Sequence, residues 1–286
     1  MNPILRKIAR YMWRFRAKIF LDFPLPCFLA YGSLCLAYGD GMGATFFFKR
    51  PYEENEWRFI SKFLKPGMTF FDIGANQGFY TLLAAKMVGP GGKVFAFEPV
   101  PSQIKKLKRN IKINCFHNII TEQLALGSEK GSANMYACLN GAESLSSLRL
   151  PSEDGRVQKK VIQVPITTLD NYVYKSNISS IDFIKIDVEG GELDVLKGGI
   201  NVLKNLRPIF MCEVQDIRTG QWGYSASEIF KFLKNYNYSW FRVIAGGSLQ
   251  SFKSEEEHEL KEVNFIAVPI EKINYITNLL DNNKFE

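Results

Sequence analysis

Short apolar runs alternate with amphipathic segments along most of this chain. The clearest case is residues 69–80, where Thr69–Ile73 predicts a buried strand, Gly74-Ala75-Asn76-Gln77-Gly78 a tight turn, and the next residues a helix. Further strands are predicted at 93–98, 119–126, 181–187, 208–214, 239–244 and 263–268. Strands that alternate with helices are typical of a doubly wound α/β fold with a mostly parallel sheet.

The residues before this pattern predict an extension. Residues 1–20 have apolar positions at helical spacing with basic residues between them, which indicates a basic amphipathic helix. Two strands, Leu34–Tyr38 and Ala44–Phe48, are predicted around Gly39-Asp40-Gly41, and a helix at Glu53–Leu64.

Charge and cysteine content narrow the class of protein. The net charge is +7, and residues 1–20 contain six basic and no acidic residues, so the remainder is nearly neutral and unlike a nucleic-acid-binding protein. The amphipathic helix either adsorbs to an anionic membrane surface or docks on the domain.

Five scattered cysteines without a Cys-x-x-Cys motif indicate a reducing compartment. We expect a cytoplasmic protein, with peripheral contact at the inner membrane surface as an alternative.

The glycine turn differs from the dinucleotide-binding fingerprint, because it reads Gly-x-Asn-x-Gly and follows a carboxylate, Asp72. An acid beside a pyrophosphate would be repelled. A ligand with cationic groups suits the position, and S-adenosylmethionine has an ammonium and a sulfonium. The alternative is a tight strand–helix turn that binds no ligand.

Further acids follow at the ends of later strands. Glu98 ends the second strand, where a carboxylate can accept the hydroxyls of a ribose; the alternative is a solvated strand end. The adenine would lie near the end of the third strand. Asp187 and Glu189 follow the strand at 181–187, and Glu213 ends the next. Several carboxylates in one crevice are costly unless a cation lies among them, which is consistent with a sulfonium cofactor.

These motifs resemble the FkbM family of S-adenosylmethionine-dependent methyltransferases over roughly residues 40–270. The resemblance rests on four stretches: Phe71-Asp72-Ile73-Gly74-Ala75-Asn76-x-Gly78-x-Tyr80, Phe97-Glu98-Pro99, Thr168-Leu169-Asp170 and Ile184-Lys185-Ile186-Asp187-Val188-Glu189-Gly190-x-Glu192. It implies a class I methyltransferase, Rossmann-like, with a seven-stranded sheet whose last strand is antiparallel. It also implies methyl transfer, usually to a hydroxyl oxygen of a sugar or secondary metabolite. The division is then a basic extension (1–39), the methyltransferase domain (40–270) and a C-terminal helix or tail (271–286).

The resemblance implies a role for each matched residue. Asp72, Gly74, Asn76 and Gly78 would surround the methionine part of the cofactor, and Tyr80 belongs to the same motif. Glu98 would hold the ribose, and Ala125 would lie beside the adenine. Asp187 and Glu189 would face the methyl group and the acceptor.

The acceptor hydroxyl requires a base, or a metal that lowers its pKa. Asp187, Glu189 and Glu213 are the candidate bases. No metal ligand is assigned, and Mg²⁺ held by Asp187 and Glu189 is left as an alternative. For Glu189, a further alternative is capping of the following helix.

We expect a small-molecule or saccharide acceptor, walled by residues 140–160 and 215–225, where Trp222 and Tyr224 would stack on a sugar ring. Two other functions are weighed against a methyltransferase. A dehydrogenase-like nucleotide binder is disfavoured by Asp72 and the missing third glycine. A non-catalytic membrane-associated scaffold is disfavoured by the intact cofactor acids.

Overall fold

Thirteen strands and nine α-helices form the part of the chain that the computed structural model describes, which is residues 24–139, 142–150, 157–253 and 264–282, with Tyr11 and Phe15. The strands are β1 (Leu25–Phe28), β2 (Leu34–Ala37), β3 (Thr69–Ile73), β4 (Lys93–Phe97), β5 (Ile119–Glu122), β6 (Ala125–Leu126), β7 (Gly131–Cys138), β8 (Lys159–Thr167), β9 (Phe183–Ile186), β10 (Ile209–Glu213), β11 (Tyr238–Ile244), β12 (Ser248–Phe252) and β13 (Asn264–Pro269). The helices are α1 (Gly41–Phe47), α2 (Glu54–Phe63), α3 (Phe79–Val88), α4 (Pro101–Ile113), α5 (Leu169–Lys175), α6 (Glu192–Lys197), α7 (Asp216–Thr219), α8 (Ser227–Lys234) and α9 (Ile273–Asn282).

The central sheet has eight strands in the order β12-β11-β13-β10-β9-β3-β4-β5. Strands β10, β9, β3, β4 and β5 pair in parallel, and β13 is antiparallel to both of its neighbours. This confirms the α/β fold, the mostly parallel sheet and the antiparallel last strand. The sheet has one strand more than predicted, because β12 forms a hairpin with β11 at the edge.

The apolar runs form these strands because both faces of the sheet are buried. Successive side chains of β3 point to opposite faces, so that Phe71 and Ile73 lie in one hydrophobic cluster and Phe70 lies in the other. All three are at most 1% exposed. A strand buried on both faces therefore requires a continuous run of apolar residues. A strand with one face exposed to solvent would instead alternate apolar and polar residues.

The carboxyl ends of the central strands are level. Ile73 of β3 pairs with Phe97 of β4 and with Ile186 of β9, and Ile186 pairs with Cys212 of β10. The residues that follow these four strands therefore meet at one edge, and this is where the predicted acids lie.

Two strand predictions are wrong. Residues 44–48 belong to α1 and its end, because the Asp40 side chain accepts a hydrogen bond from the Gly43 amide at 2.6 Å and begins a helix there. The strand at 34–37 pairs instead with β1. The third strand, predicted as 119–126, is interrupted after Glu122, and β6 joins a separate sheet of order β6-β8-β7.

The helix predicted in residues 1–20 lies outside the described residues except at Tyr11 and Phe15, and the acidic run that contains His258 lies outside them entirely. Among the helices that the structure describes, none combines the length and apolar content needed to cross a membrane.

Asp40 connects the residues before β3 to the glycine turn. Its carboxylate accepts hydrogen bonds from Gln77 Nε2 at 2.6 Å and from Lys106 Nζ at 2.8 Å, and its side chain is only 5% exposed. These contacts fix α1 against the turn that begins α3.

We predict that Asp40→Ala lowers the free energy of unfolding by about 3 kcal/mol, because it leaves the ammonium of Lys106 without its partner. Urea denaturation followed by circular dichroism measures the change. The matched control is Glu54→Ala, which removes an ion pair with Arg58 whose side chains are 51% and 45% exposed. Glu54→Ala should lower the free energy of unfolding by no more than about 1 kcal/mol. Equal losses in both variants would contradict the anchoring role of Asp40.

Candidate active site

A cavity of about 770 Å³ opens at the carboxyl edge of the central sheet. Its volume lies within the range of small-molecule and cofactor sites. Nine of the predicted site residues line it: Asp72, Gly74, Asn76, Tyr80, Glu98, Ala125, Asp187, Glu189 and Glu213. The fold therefore brings together side chains that are far apart in sequence, and their individual roles remain predictions.

The glycine turn passes very close to the end of β9. Gly74 has φ +83°, and a Cβ there would lie 1.8 Å from the carbonyl oxygen of Asp187. Its amide donates to the carbonyl of Phe97 at 3.0 Å, which connects the turn to β4. Glycine is required at this position because both the conformation and the space exclude a side chain.

Gly78 is the predicted cofactor residue that the structure does not place in the cavity lining. It lies at the N-cap of α3 with φ +96°, and a Cβ there would be 2.4 Å from Leu107 Cδ1. This glycine allows α3 and α4 to pack closely. Helix packing therefore accounts for the glycine, and its contact with the cofactor remains a prediction.

Glu98 is buried and held by the backbone. Its Oε2 accepts from the amide of Asn76 and its Oε1 from the amide of Val100, both at 2.8 Å. Burial raises the pKa of this carboxyl to about 7, although the two amide bonds favour the charged form. The bond to Asn76 orients the carboxylate toward the glycine turn.

Lys185 is a buried cation among these acids, and the sequence analysis missed it. Its Nζ lies 2.9 Å from Asp187 Oδ2 and 4.0 Å from Asp72 Oδ1, and 5.1 Å from the centre of the Tyr80 ring. Burial alone would lower the pKa of Lys185, but the charges of Asp187 and Asp72 outweigh it and raise that pKa. The sequence signal was a lysine inside a four-residue strand that is otherwise apolar.

The three predicted catalytic acids lie together at the ends of β9 and β10. Asp187 pairs with Lys185, and Glu189 Oε2 lies 3.0 Å from Arg218 Nε. Burial, followed by the charges of Asp187 and Glu189, raises the pKa of Glu213 well above its ordinary value. Its carboxyl therefore binds a proton more readily than an exposed glutamate, and its role as a base remains a prediction.

Asp187 and Glu189 were the alternative ligands for Mg²⁺, and Glu213 lies close to both. Each offers an oxygen within 4.8 Å of the others. Two of them, Asp187 and Glu189, already have a cationic partner. The cluster gives no support for Mg²⁺ beyond this proximity, and we assign no metal site.

Trp222 and Tyr224 are positioned by the glycine turn after β9. The Trp222 indole donates to the Glu189 carbonyl at 3.2 Å and lies so close to Gly191 that a Cβ there would be 2.7 Å away. The guanidinium of Arg149 lies 5.3 Å above the Trp222 ring. Tyr224 donates its hydroxyl to the Gly190 carbonyl and does not line the cavity. The prediction that Tyr224 stacks on an acceptor is therefore wrong, whereas Trp222 does line the cavity.

One wall of the cavity comes from residues that precede the glycine turn. Met42 and Phe46 of α1 line it, as do Tyr52 and Glu53 from the link to α2. The sequence analysis missed them because it predicted a strand over residues 44–48 and treated Glu53 as an ordinary helix start. A signal was available in Asp40, a residue that commonly begins a helix.

The strand order, the antiparallel last strand and the cavity at the glycine turn define the class I methyltransferase fold. A family model described as "Methyltransferase FkbM domain" matches residues 72–240. The chain belongs to this family.

Curated relatives are distant. The chain is 28% identical over 166 residues to 31-O-demethyl-FK506 methyltransferase FkbM of Streptomyces tacrolimicus, covering 47% of this chain and 60% of that protein. It is 27% identical over 139 residues to hexuronic acid methyltransferase AglP of Haloferax volcanii, covering 48% of this chain and 52% of that protein. The matches thus span little more than half of these relatives. A solved structure of methyltransferase FkbM from Methylobacillus flagellatus is 15% identical, with a TM-score of 0.44, covering 70% of this chain and 43% of that one.

We predict that the affinity for S-adenosylhomocysteine rises about tenfold between pH 6 and pH 8, measured by calorimetry. Burial raises the pKa of Glu98 to about 7, so its carboxyl is mostly protonated below that pH. The carboxyl must lose this proton before it can accept hydrogen bonds from both ribose hydroxyls, so binding strengthens as the pH rises. Glu98→Gln should bind weakly and without this pH dependence. Glu192→Gln is the matched control, since burial raises the pKa of Glu192 to about 7 as well. A pH dependence that survives in Glu98→Gln would contradict the assignment.

Proposed function

We propose that this protein is an S-adenosylmethionine-dependent methyltransferase that methylates a hydroxyl oxygen of a sugar, glycan or secondary metabolite. The observation that carries the proposal is the cavity of this FkbM-family chain, in which Asp72, Glu98 and Asp187 lie at the carboxyl ends of three adjacent strands. The names of the relatives support oxygen as the acceptor atom, since one acts at a 31-O position and a relative from Sinorhizobium fredii is a 2-O-methyltransferase.

The residues present fit the cofactor. Asp72 Oδ1 and Asn76 Oδ1 are buried and accept no hydrogen bond within the part of the chain that the structure describes, so they suit the ammonium of the methionine part. Glu98 is placed to accept the ribose hydroxyls, and Ala125 would lie beside the adenine. A cationic ligand would also reduce the repulsion among the acids at this edge.

The bound cofactor would supply an electrophilic methyl group on its sulfonium. The chain would then contribute mainly alignment of the acceptor oxygen with that group. Asp187, fixed by Lys185 at 2.9 Å, is placed to orient the acceptor hydroxyl. The buried walls formed by Phe46 and Tyr52 would exclude water from the reacting atoms.

The acceptor would enter between the wall of residues 142–150 and Trp222. Ser144 and Ser146 line this side of the cavity, and the Ser147 hydroxyl donates to the Glu189 carbonyl at 2.9 Å. These hydroxyls and the Arg149 guanidinium suit a polyhydroxylated acceptor. The division into residues 1–39, 40–270 and 271–286, a cytoplasmic location and peripheral membrane contact through residues 1–20 remain part of the proposal.

We predict that the protein transfers labelled methyl from S-adenosylmethionine to at least one member of a panel of methyl glycosides of neutral sugars and hexuronic acids. Asp187→Asn should reduce turnover roughly 100-fold, because the acceptor hydroxyl loses its charged partner. Its affinity for S-adenosylhomocysteine should change by no more than a few-fold.

The control is Glu129→Gln, which removes an exposed carboxylate at the rim of the same cavity and should keep full turnover. Full turnover by Asp187→Asn would remove Asp187 from the mechanism. Binding of the cofactor without transfer to any glycoside would contradict a sugar acceptor and redirect the panel to hydroxylated secondary metabolites.

A further inference from the structure

We propose that Glu53 is the carboxylate that faces the transferred methyl group and takes the proton of the acceptor hydroxyl. The inference rests on the proposed methyltransferase function and adds to it a residue that precedes the part of the chain matched by the family model, residues 72–240.

The first argument is position. Glu53 lines the same cavity as Glu98 and Asp187, and its carboxyl accepts the hydrogen bond of the Tyr80 hydroxyl. Burial raises the pKa of Glu53, the charge of Lys185 lowers it and the charge of Asp187 raises it. Burial, together with the charges of Glu53, Asp187 and Glu213, raises the pKa of the neighbouring Tyr52. Glu53 therefore shares the end of the cavity at which the strands β9 and β10 present their acids.

The second argument is the backbone. Glu53 adopts the left-handed conformation, φ 42° and ψ 49°, which residues with a Cβ seldom occupy. It lies at the N-cap of α2 but makes no capping hydrogen bond with its side chain. The N-cap residues that bond the first helical amides are usually Ser, Thr, Asp or Asn, and Glu53 does not take that role. Here the side chain is directed into the cavity instead, and strained residues of this kind concentrate at functional sites.

The third argument is that other acids at this end are already engaged. Asp187 pairs with Lys185, and Glu189 pairs with Arg218. Glu192 accepts the amides of Val188 and Gly190 at 3.0 and 3.2 Å, and so serves the backbone turn.

Glu53 differs from these acids. Within the described ranges, its carboxyl has no salt bridge to a cationic group, and it forms side-chain hydrogen bonds with the hydroxyls of Tyr80 and Tyr52. Burial raises the pKa of Glu53, and the charge of Lys185 lowers it in part. The carboxylate is therefore a stronger base than an exposed glutamate and has a lone pair available for a proton.

The proton transfer balances as follows. The acceptor oxygen forms a bond to the methyl carbon as the carbon–sulfur bond breaks, and the bonding electron pair stays on sulfur, which becomes neutral. The hydroxyl proton passes to a carboxylate oxygen of Glu53, and the resulting acid later releases it to water. No oxidant, reductant or metal is required.

The test needs no acceptor. Sinefungin has an amine-bearing carbon in place of the methylated sulfur, so its ammonium occupies the position of the transferred methyl, whereas S-adenosylhomocysteine is uncharged there. We expect the wild-type protein to prefer sinefungin by about tenfold, because an ammonium and a carboxylate attract at short range. Calorimetric titration with both ligands gives the ratio of affinities.

Glu53→Gln should abolish this preference and retain the affinity for S-adenosylhomocysteine, which also shows that the variant is folded. Glu54→Gln is the matched control: it removes the adjacent carboxylate, whose side chain is 51% exposed, and should keep the preference. Glu53→Asp is a second variant, to be used if Glu53→Gln fails to fold. It keeps the charge on a shorter side chain and should retain part of the preference for sinefungin.

An unchanged preference in Glu53→Gln would overturn the inference and leave the proposed function standing. Failure of the wild-type protein to bind S-adenosylhomocysteine would overturn the proposed function, and the inference with it. The two failures are therefore distinguishable in one set of titrations.

Discussion

The buried ion pair between Lys185 and Asp187 is the interaction on which the site depends. Lys185 is 3% exposed and lies in the middle of β9, so its ammonium cannot reach water and must be compensated inside the protein. Asp187 and Asp72, at the ends of β9 and β3, provide that compensation at 2.9 and 4.0 Å. Without the lysine, two carboxylates at adjacent strand ends would repel each other. Without the carboxylates, a buried cation would be unpaired.

The extension before β3 completes the site. Asp40 connects α1 to Gln77 and Lys106 beside the glycine turn. This attachment places the wall formed by α1 and the link to α2 over the open edge of the sheet. The sheet edge and the residues before β3, including Glu53, therefore line one cavity.

Much of this arrangement was predictable from the sequence, because the parallel strands are buried on both faces and each ends at a glycine turn or an acid. Nine of the ten predicted site residues line one cavity for that reason. Gly78 could not be separated from the others, since its need for glycine arises from Leu107, a residue distant in sequence. Lys185 was quoted in the family motif but given no role of its own, because its pairing with Asp72 of another strand is not visible in the local sequence. Glu53 was missed because its hydrogen bond from Tyr80 is a tertiary contact that no local sequence pattern contains.

The most direct test of the account is a crystal structure of the protein grown with S-adenosylhomocysteine. The account predicts the ribose hydroxyls on the carboxylate of Glu98, the amino acid part beside Asp72 and Asn76, and the sulfur between Asp187 and Glu53. The ligand bound outside this cavity, or inside it with the ribose away from Glu98, would contradict the account.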